Sequence, residues 1–451
     1  MKTQIAEKKK YQKLLLNSCL IVFAVLLWWT YLNGGDNRNA YITLIVMLFA
    51  VFMYITEMVS IVITSMAIPI ILVLTGVISG SEAFLGFADN NVILFCSMFI
   101  IGGAMFETGV AEKLGNFVVD LTKGKERKLL VGIWLLVTVT SAFLSNTGTV
   151  AVLLPVCLSI ADSAGWNRKN ILMMLAITAS TGGMITLVGT PPNITVNAIL
   201  GQHGLDVFGF FEFAWIGIPL SLLCGIWILL TVKIENESVN INVNEKTKTH
   251  LSFQGKEIVS IVVMVAVVFT MASEIFPLHV VAAAGALICV CLKLLTEKQA
   301  IDAIDWTTIF LFAGTLVLAN ALDTTGAGKM IANTVIEIVG NSASEFMLLT
   351  VVFGVTVVLT QIMSNTAICA LMAPIGIQIA EGLNTNPRSV LMIIAIAASS
   401  AFATPMATPP NTLVMGPGNF EMKDFLKTGI PLIIISYLIS ILIVPRIWPL
   451  Y

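Results

Sequence analysis

The sequence has little charge. Only 11% of its 451 residues are Asp, Glu, Lys or Arg, whereas 57% are hydrophobic. A soluble globular chain carries about 25% charged and about 45–50% apolar residues. So few charges cannot cover a water-facing surface of this size, which excludes a soluble enzyme and predicts a polytopic membrane protein. The formal net charge of −2 also leaves a nucleic-acid partner without an electrostatic basis.

The sequence also lacks clustered metal ligands and paired catalytic groups. Its seven cysteines lie inside apolar runs and form no C-x-x-C, so we interpret them as small buried hydrophobic residues. His203, His250 and His279 lie in or near predicted loops, which argues against a catalytic or ligand role. Asp89 only faintly resembles an intramembrane aspartyl protease motif, and a second such motif is absent. No cofactor is expected.

Apolar runs separated by short polar breaks predict the membrane spans. The basic start of the chain leads into an apolar run from Leu14 to Leu32. This run approaches the roughly 20 residues that a bilayer core needs and exceeds the about 7–15 residues of a signal peptide. Residues 1–40 are therefore predicted to be a basic segment and the first transmembrane helix. The other candidate spans are 41–57, 59–77, 90–106, 170–200, 212–233, 257–276, 278–296, 305–322, 388–416 and 428–446.

Two further apolar runs, 129–162 and 347–382, are too long for one helix and too short for two full crossings. Each has a polar tripeptide in its middle. We predict that both are re-entrant hairpins.

Basic residues predict the orientation, because Lys and Arg accumulate on cytoplasmic loops. With the N-terminus inside and 129–162 re-entrant, the basic clusters at 123–128 and 168–169 share the cytoplasmic side with the polar loop 235–256. Two full crossings would give the same sidedness. The prediction is a multi-pass protein of the plasma or inner membrane with a cytoplasmic N-terminus. The basic residues left outside are Arg38, Lys329, Arg388 and Arg446.

Internal self-similarity is the decisive feature of the sequence. Three short motifs recur in one order, at offsets of 219, 218 and 217 residues. They are Ser-Asn-Thr at 145–147 and 364–366, Thr-Pro-Pro-Asn at 190–193 and 408–411, and Thr-Gly at 108–109 and 325–326.

Each half has the same order of predicted elements: a span, an amphipathic stretch, a hairpin and a proline-broken helix. The halves are 41–233 and 257–451, joined by a cytoplasmic linker at 234–256. Because the second half starts from the opposite membrane face, the fold class predicted is an all-α polytopic protein with an inverted repeat, the architecture of many secondary transporters.

The doubled motifs predict a binding site near mid-membrane. A single Ser-Asn-Thr is often an interhelical packing group, and a single proline pair is often only a kink; two copies of both at matched offsets favour a shared site. Each of four interrupted elements brings a helix N-terminus of roughly half a positive charge, and together these suit a dianion. Helix C-terminal carbonyls and Asn oxygens suit monovalent cations such as sodium. No Arg or Lys lies mid-span to bind an anion.

Twin Ser-Asn-Thr motifs, each followed some 45 residues later by Thr-Pro-Pro-Asn, resemble the divalent anion/sodium symporter (DASS) family, and its dicarboxylate-transporting bacterial members above all. The resemblance extends from about residue 14 to 446. It implies a homodimer, eleven spanning helices and two hairpins per protomer, and a scaffold beside a transport domain that moves as an elevator. By motif, the residues implied near the substrate carboxylates are Asn146, Thr147, Asn365, Thr366 and Pro409, with Thr408 and Pro191 nearby.

The resemblance also implies two sodium sites, each with a hydroxyl or small residue at every matching position. One would involve Ser141, Ser145, Asn146 and Gly189, and the other Thr360, Ser364, Asn365 and Ala407.

The expected function is secondary transport of small di- or tricarboxylates such as succinate, fumarate, malate or 2-oxoglutarate. Intact Ser-Asn-Thr copies favour these anions over sulfate. Sodium symport and dicarboxylate exchange both stay open, as does a carrier of sulfate, citrate or arsenite on the same scaffold. A channel built from two half-helices is the more distant alternative, since the Asn-Pro-Ala motif of aquaporins is absent.

Overall fold

The computed structural model describes residues 2–56, 58–122, 126–164, 166–231, 255–339 and 345–450. Within them all regular secondary structure is helical, which confirms the all-α prediction. Nearly all of the predicted linker 234–256 lies outside the described residues, and so do Lys123 and Lys125 of the first basic cluster.

The first half of the chain begins with four helices of mostly spanning length, followed by an amphipathic helix, a helical hairpin and an interrupted helix. Its α-helices are α1 Lys2–Asn33, α2 Arg38–Thr56, α3 Ile61–Leu74, α4 Asn90–Glu107, α5 Val110–Thr122, α6 Glu126–Phe143, α7 Asn146–Ala164, α8 Arg168–Gly183, α9 Pro191–Gln202 and α10 Ala214–Thr231.

The second half repeats this order from α14 onward. Its α-helices are α11 Lys256–Ala272, α12 Leu278–Cys291, α13 Glu297–Asp302, α14 Trp306–Thr324, α15 Ala327–Val339, α16 Glu345–Thr360, α17 Asn365–Gly382, α18 Pro387–Ser399, α19 Pro409–Met415 and α20 Met422–Ile447.

Several helices are long and apolar enough to cross a bilayer. Among the described residues these are Leu16–Asn33, Gly35–Thr56, Asn90–Glu107, Ala214–Thr231, Trp306–Thr324 and Met422–Ile447. Other apolar helices are shorter: they are the first piece of an interrupted helix, Pro387–Ser399, and four hairpin arms or spans of 14–17 residues. A short apolar helix cannot cross about 30 Å of hydrocarbon alone, so these pieces need protein around them.

The repeated Thr-Gly motif ends two corresponding helices in the same way. The Thr108 hydroxyl donates to Ala104 O at 2.7 Å at the end of α4, and the Thr325 hydroxyl donates to Ala321 O at 2.6 Å at the end of α14. Gly109 follows with φ of +80°, the left-handed conformation that costs glycine little and ends helices. The amphipathic helices α5 and α15 begin directly after these turns.

The core of the molecule surrounds the interrupted helices. Every residue of α8 from Ile171 to Gly183, and of α18 from Ser389 to Ser399, is buried. By contrast, only 6% of the apolar window of α1 is buried, against 72% for α14. The first helix therefore lies at the periphery, and the residues around the motifs lie inside.

The two halves interlock at the motifs. The second piece of the first interrupted helix, α9, packs against α17 and α18 of the other half. In the reciprocal arrangement, α19 packs against α7 and α8. Each hairpin is therefore brought beside the broken helix of the opposite half.

Among the described residues, five polar pairs each join two distant segments that were predicted on the same membrane face. This grouping agrees with the expected arrangement of loops; which face is cytoplasmic stays a prediction. On one face the pairs are Lys113–Glu257, Lys169–Asp424 and Gln299–Glu107, and on the other they are Arg388–Glu212 and His203–Asp323.

Candidate functional site

Both Ser-Asn-Thr motifs lie at the turn of a helical hairpin, where the serine caps the returning helix. The Ser145 hydroxyl accepts a hydrogen bond from Gly148 N at 3.1 Å, and the Ser364 hydroxyl accepts one from Ala367 N at 3.3 Å. Serine is a favoured N-cap because it satisfies a backbone donor that the helix leaves free. The asparagine is the first residue of the helix in both halves, so its side chain stands at the hairpin tip.

Both Thr-Pro-Pro-Asn motifs restart an interrupted helix. Proline occupies the first helical position of α9 and of α19, where its missing N–H costs nothing. The asparagine of each motif then donates hydrogen bonds to backbone carbonyls of the interrupted segment. Asn193 Nδ2 donates to Thr186 O at 2.9 Å, and Asn411 Nδ2 donates to Ala401 O and Thr404 O, both at 2.9 Å. Backbone carbonyls freed by the break are thereby partly satisfied inside the protein.

The amide of Asn146 lies in a group of oxygen atoms that we call the first cage: Ser141 Oγ, Ala179 O and Gly189 O. The amide atom that faces this cage lies 2.7 Å from Ser141 Oγ, 3.0 Å from Ala179 O and 3.2 Å from Gly189 O. Ser141 is completely buried and donates to Ala179 O at 2.7 Å. The cage thus joins the hairpin, the end region of α8 and the break before α9.

The amide of Asn365 lies in an equivalent second cage: Thr360 Oγ1, Ala398 O and Ala407 O. The corresponding distances are 3.2, 3.3 and 3.2 Å. Thr360 is completely buried and donates to Ala398 O at 2.6 Å. Every member of the second cage lies 218 or 219 residues after its counterpart in the first, so the sequence repeat extends to the contacts.

The first cage has room only for glycine at two positions. A Cβ on Gly183 would lie 2.3 Å from Asn146 Oδ1 and 2.8 Å from Gly189 O, and a Cβ on Gly189 would lie 2.4 Å from Gly183 O. Several oxygen atoms therefore converge where a side chain would otherwise stand. Neutral oxygen ligands of this kind fit a hard monovalent cation. No group of three or more His, Cys, Asp or Glu that could bind a transition metal occurs among the residues described.

The motifs of opposite halves lie next to each other. The Cys369 thiol of α17 donates to Pro192 O of α9 at 3.4 Å. On the other side, α19 packs against α7, which begins at Asn146. Four of the seven cysteines, Cys369 among them, are buried as the sequence interpretation predicted. Cys19 and Cys96 are only partly buried and Cys291 is exposed, so for these three the interpretation was wrong. Cys369 also bridges the halves.

The predicted substrate residues differ in exposure, and the two exposed ones come from opposite halves. Thr147 and Pro409 are exposed, and Asn146, Asn365 and Pro191 are partly buried. Thr366 is only 7% exposed, and Thr408 is 4% exposed. Of the remaining predicted sodium residues, Ser145 and Ser364 are partly buried, and Gly189 and Ala407 are buried. The tip of the first hairpin is therefore exposed at Thr147, whereas the tip of the second hairpin is covered at Thr366.

Sequence reasoning missed Gln361. Its Nε2 donates to Ser400 O at 3.1 Å, its Oε1 accepts from Ala403 N at 3.0 Å, and its backbone oxygen accepts from the Thr404 hydroxyl at 2.6 Å. It braces the second helix break against the hairpin. A glutamine inside the apolar run 347–382, three residues before Ser364, is the signal that could have identified it.

Comparison with known proteins gives the family. The model of the citrate transporter family matches residues 51–375 and 320–450. An uncharacterised transporter of Haemophilus influenzae is 27% identical over 92% of this chain and 93% of its own, and one of Methanocaldococcus jannaschii is 29% identical over 89% and 93%. A sodium-dependent dicarboxylate transporter of Staphylococcus aureus is 23% identical over 88% of this chain and 84% of its own.

A solved structure shares the fold. It is the crystal structure of the YdaH transporter of Alcanivorax borkumensis, whose topology is described as unusual. It superposes with a TM-score of 0.58 at 15% identity, over 80% of this chain and 86% of that one. These findings confirm the resemblance to the divalent anion/sodium symporters and a carrier rather than an enzyme: the chain belongs to the citrate transporter family of membrane transporters.

Proposed function

We propose that this protein is a secondary transporter of small dicarboxylates that is driven by sodium. The observation that supports this most is the pair of matching oxygen cages, each sharing its asparagine amide with a hairpin tip. One end of each amide points to the cage oxygens, which suit a cation, and the other end points out of the cage, toward the proposed carboxylate site.

The charge of the substrate follows from the helix ends. The N-termini of α7, α9, α17 and α19 belong to motifs that pack against one another, and each contributes roughly half a positive charge. No Lys or Arg occurs in the two motifs or in the cages. About two negative charges are thereby offset by backbone dipoles, which supports a dianion with two carboxylates as the substrate.

Sodium coupling follows from the cages. Their oxygen atoms come from hydroxyls, carbonyls and amides, which bind a hard cation without adding a fixed negative charge to the substrate site. The similarity to a sodium-dependent dicarboxylate transporter supports this assignment. Exchange of one dicarboxylate for another remains the alternative mode on the same site.

A carrier of citrate is the second candidate, favoured by the match to the citrate transporter family model. Citrate, sulfate and arsenite would be compared by their competition with labelled succinate. If citrate alone competes strongly, the substrate would be assigned as a tricarboxylate and not as a C4 dicarboxylate.

We also propose that the halves form an inverted repeat, that a homodimer is the working unit, and that the hairpins and interrupted helices move as an elevator. The packing of α12 on α4, of α3 on α14 and of α4 on α14 supports a separate scaffold. The reciprocal packing of α9 on α17 and α19 on α7 supports a second unit that contains the site.

The test is succinate uptake into proteoliposomes with an inward gradient of sodium, with potassium, and with dicarboxylate inside. Sodium-dependent, saturable uptake is expected. Asn146→Ala and Asn365→Ala should each abolish it, whereas Asn33→Ala, at the exposed end of the peripheral helix α1, should leave it unchanged. Uptake that survives both site substitutions would refute the assignment, and uptake without sodium but with internal dicarboxylate would indicate exchange.

A further inference from the structure

The tip asparagines face atoms with which only one end of the amide forms good hydrogen bonds. Ser141 Oγ has one hydrogen and lies 2.7 Å both from Ala179 O and from the inward end of the Asn146 amide, so it can donate to only one of them. An amide oxygen turned toward the first cage therefore competes with Ala179 O for this single hydrogen and otherwise meets only acceptors. An amide nitrogen in the same place lies within hydrogen-bonding distance of all three cage oxygens.

The second cage has the same property. Thr360 Oγ1 donates its hydrogen to Ala398 O at 2.6 Å, and the amide of Asn365 lies 3.2 Å from that hydroxyl. An amide nitrogen turned inward would lie 3.2 Å from Ala407 O and 3.3 Å from Ala398 O. Without a cation, both cages thus prefer the nitrogen of the asparagine.

A monovalent cation among the cage oxygens reverses this preference. A cation binds the amide oxygen and repels the N–H group, since the nitrogen of an amide has donors and no acceptor. The two ends of an amide are nearly the same size, and the last torsion of asparagine has a broad, roughly two-fold profile. Rotation by about 180° therefore needs no repacking.

The same rotation changes what the substrate meets. Asn146 and Asn365 are both partly exposed, so the end of the amide that is not in the cage faces the site. With nitrogen in the cage, the amide oxygen faces a carboxylate, which has only acceptors and is repelled. With oxygen in the cage, the NH₂ group faces the carboxylate and donates to it.

We propose that rotation of these two amides couples the cation to the substrate. This inference rests on the proposed function and adds the device by which one ligand recruits the other. Occupied cages turn both amide oxygens inward and present donors to the dicarboxylate. When the cages are empty, both amide nitrogens turn inward and the amide oxygens face the dicarboxylate, which weakens its binding.

A purely coulombic coupling makes a different prediction, which a neutral analogue tests. Dimethyl succinate has carbonyl acceptors at both ends, no N–H or O–H donor and no net charge. If the amides rotate, sodium strengthens the binding of both succinate and dimethyl succinate, because the site changes from acceptor to donor. If only charge matters, sodium leaves the affinity for dimethyl succinate unchanged.

The experiment measures equilibrium binding of both compounds to the purified full-length protein in sodium and in potassium. We expect sodium to raise the affinity for succinate at least about tenfold and that for dimethyl succinate by about three- to tenfold, of the order of one net hydrogen bond. An affinity for dimethyl succinate that is equal or lower in sodium than in potassium, or no binding of it in sodium, would overturn the proposal. Succinate that binds in neither salt would instead refute the proposed function.

Asn146→Asp gives an independent test, since an ionised aspartate keeps the oxygen for the cage and has no donor in either orientation. Thermal stabilisation by sodium relative to potassium should persist in this variant, while succinate binding in sodium should fall at least about tenfold. Asn33→Asp, outside the site, controls only for the change in the net charge of the protein. Succinate affinity equal to that of the unmodified protein would contradict the switch.

Discussion

At the scale of single residues, the first cage depends on two glycines, Gly183 and Gly189, whose missing side chains leave room for its oxygen atoms, as much as on its polar residues. The asparagines, serines and prolines could be predicted from the sequence, because their types and spacing recur. The orientation of the amides could not, because it depends on Ser141, Ala179 and Gly189, which come from three separate segments. Gln361 escaped prediction because it has no counterpart in the first half, where Ala142 stands 219 residues earlier.

Gly183→Ala tests the first cage at this scale. The added Cβ would lie 2.3 Å from Asn146 Oδ1 and 2.8 Å from Gly189 O, so either the asparagine or the break before α9 must shift. We expect stabilisation by sodium and sodium-driven succinate uptake to be lost.

Gly354→Ala is the matched control, because a Cβ there meets nothing within 4 Å on the helix α16. It should leave uptake unchanged and raise stability by about 0.5–1 kcal/mol, the usual gain for alanine inside a helix. Equal behaviour of the two variants in thermal unfolding and uptake would show that the cage does not require glycine.

At the scale of elements, the observed helix boundaries agree with the predicted ones where residues typical of turns and helix starts mark them. Both hairpins turn at Ser-Asn-Thr, and both interrupted helices resume at the first proline. The helix α1 begins at Lys2 and α20 at Met422, both earlier than the apolar runs, because hydropathy detects the lipid-spanning part and not the helix. The short helix α13 was missed among polar residues, although Thr296 and Gln299 form a capping box that marks its start.

Gln361→Ala tests how the second break is held. It removes the acceptor of Ala403 N and the donor to Ser400 O, both in a buried segment. An unsatisfied buried polar group costs about 1–3 kcal/mol, so we expect a lower unfolding temperature and slower succinate uptake. Gln202→Ala, on an exposed residue at the end of α9, should change neither. Unaltered stability in Gln361→Ala would contradict the bracing role.

At the scale of the whole molecule, the interlocked halves bring four motifs to one place although their sequence positions span more than half of the chain. The repeat predicted that the motifs correspond, and the packing of α9 on α17 and α19 on α7 shows how they meet. The sequence could not indicate which hairpin tip is exposed, because this depends on how the hairpins lie against α4, α5, α14 and α15.

The unequal exposure of the two hairpin tips predicts unequal labelling. In a background without native cysteines, Thr147→Cys should react with a membrane-impermeant thiol reagent added from one side of the membrane, since Thr147 is exposed. Thr366→Cys should be protected from both sides, since Thr366 is 7% exposed. Labelling of sealed vesicles of both orientations measures this. Faster reaction at Thr366→Cys than at Thr147→Cys would contradict the unequal exposure of the two hairpin tips.

One measurement tests the central claim most directly: binding of succinate to the purified protein in sodium and in potassium, compared with the variant that carries both Asn146→Ala and Asn365→Ala. Two oxygen cages that share their amides with the substrate predict saturable binding that requires sodium and disappears in the double variant. Binding that is the same in both salts, or that the double variant retains, would contradict the account.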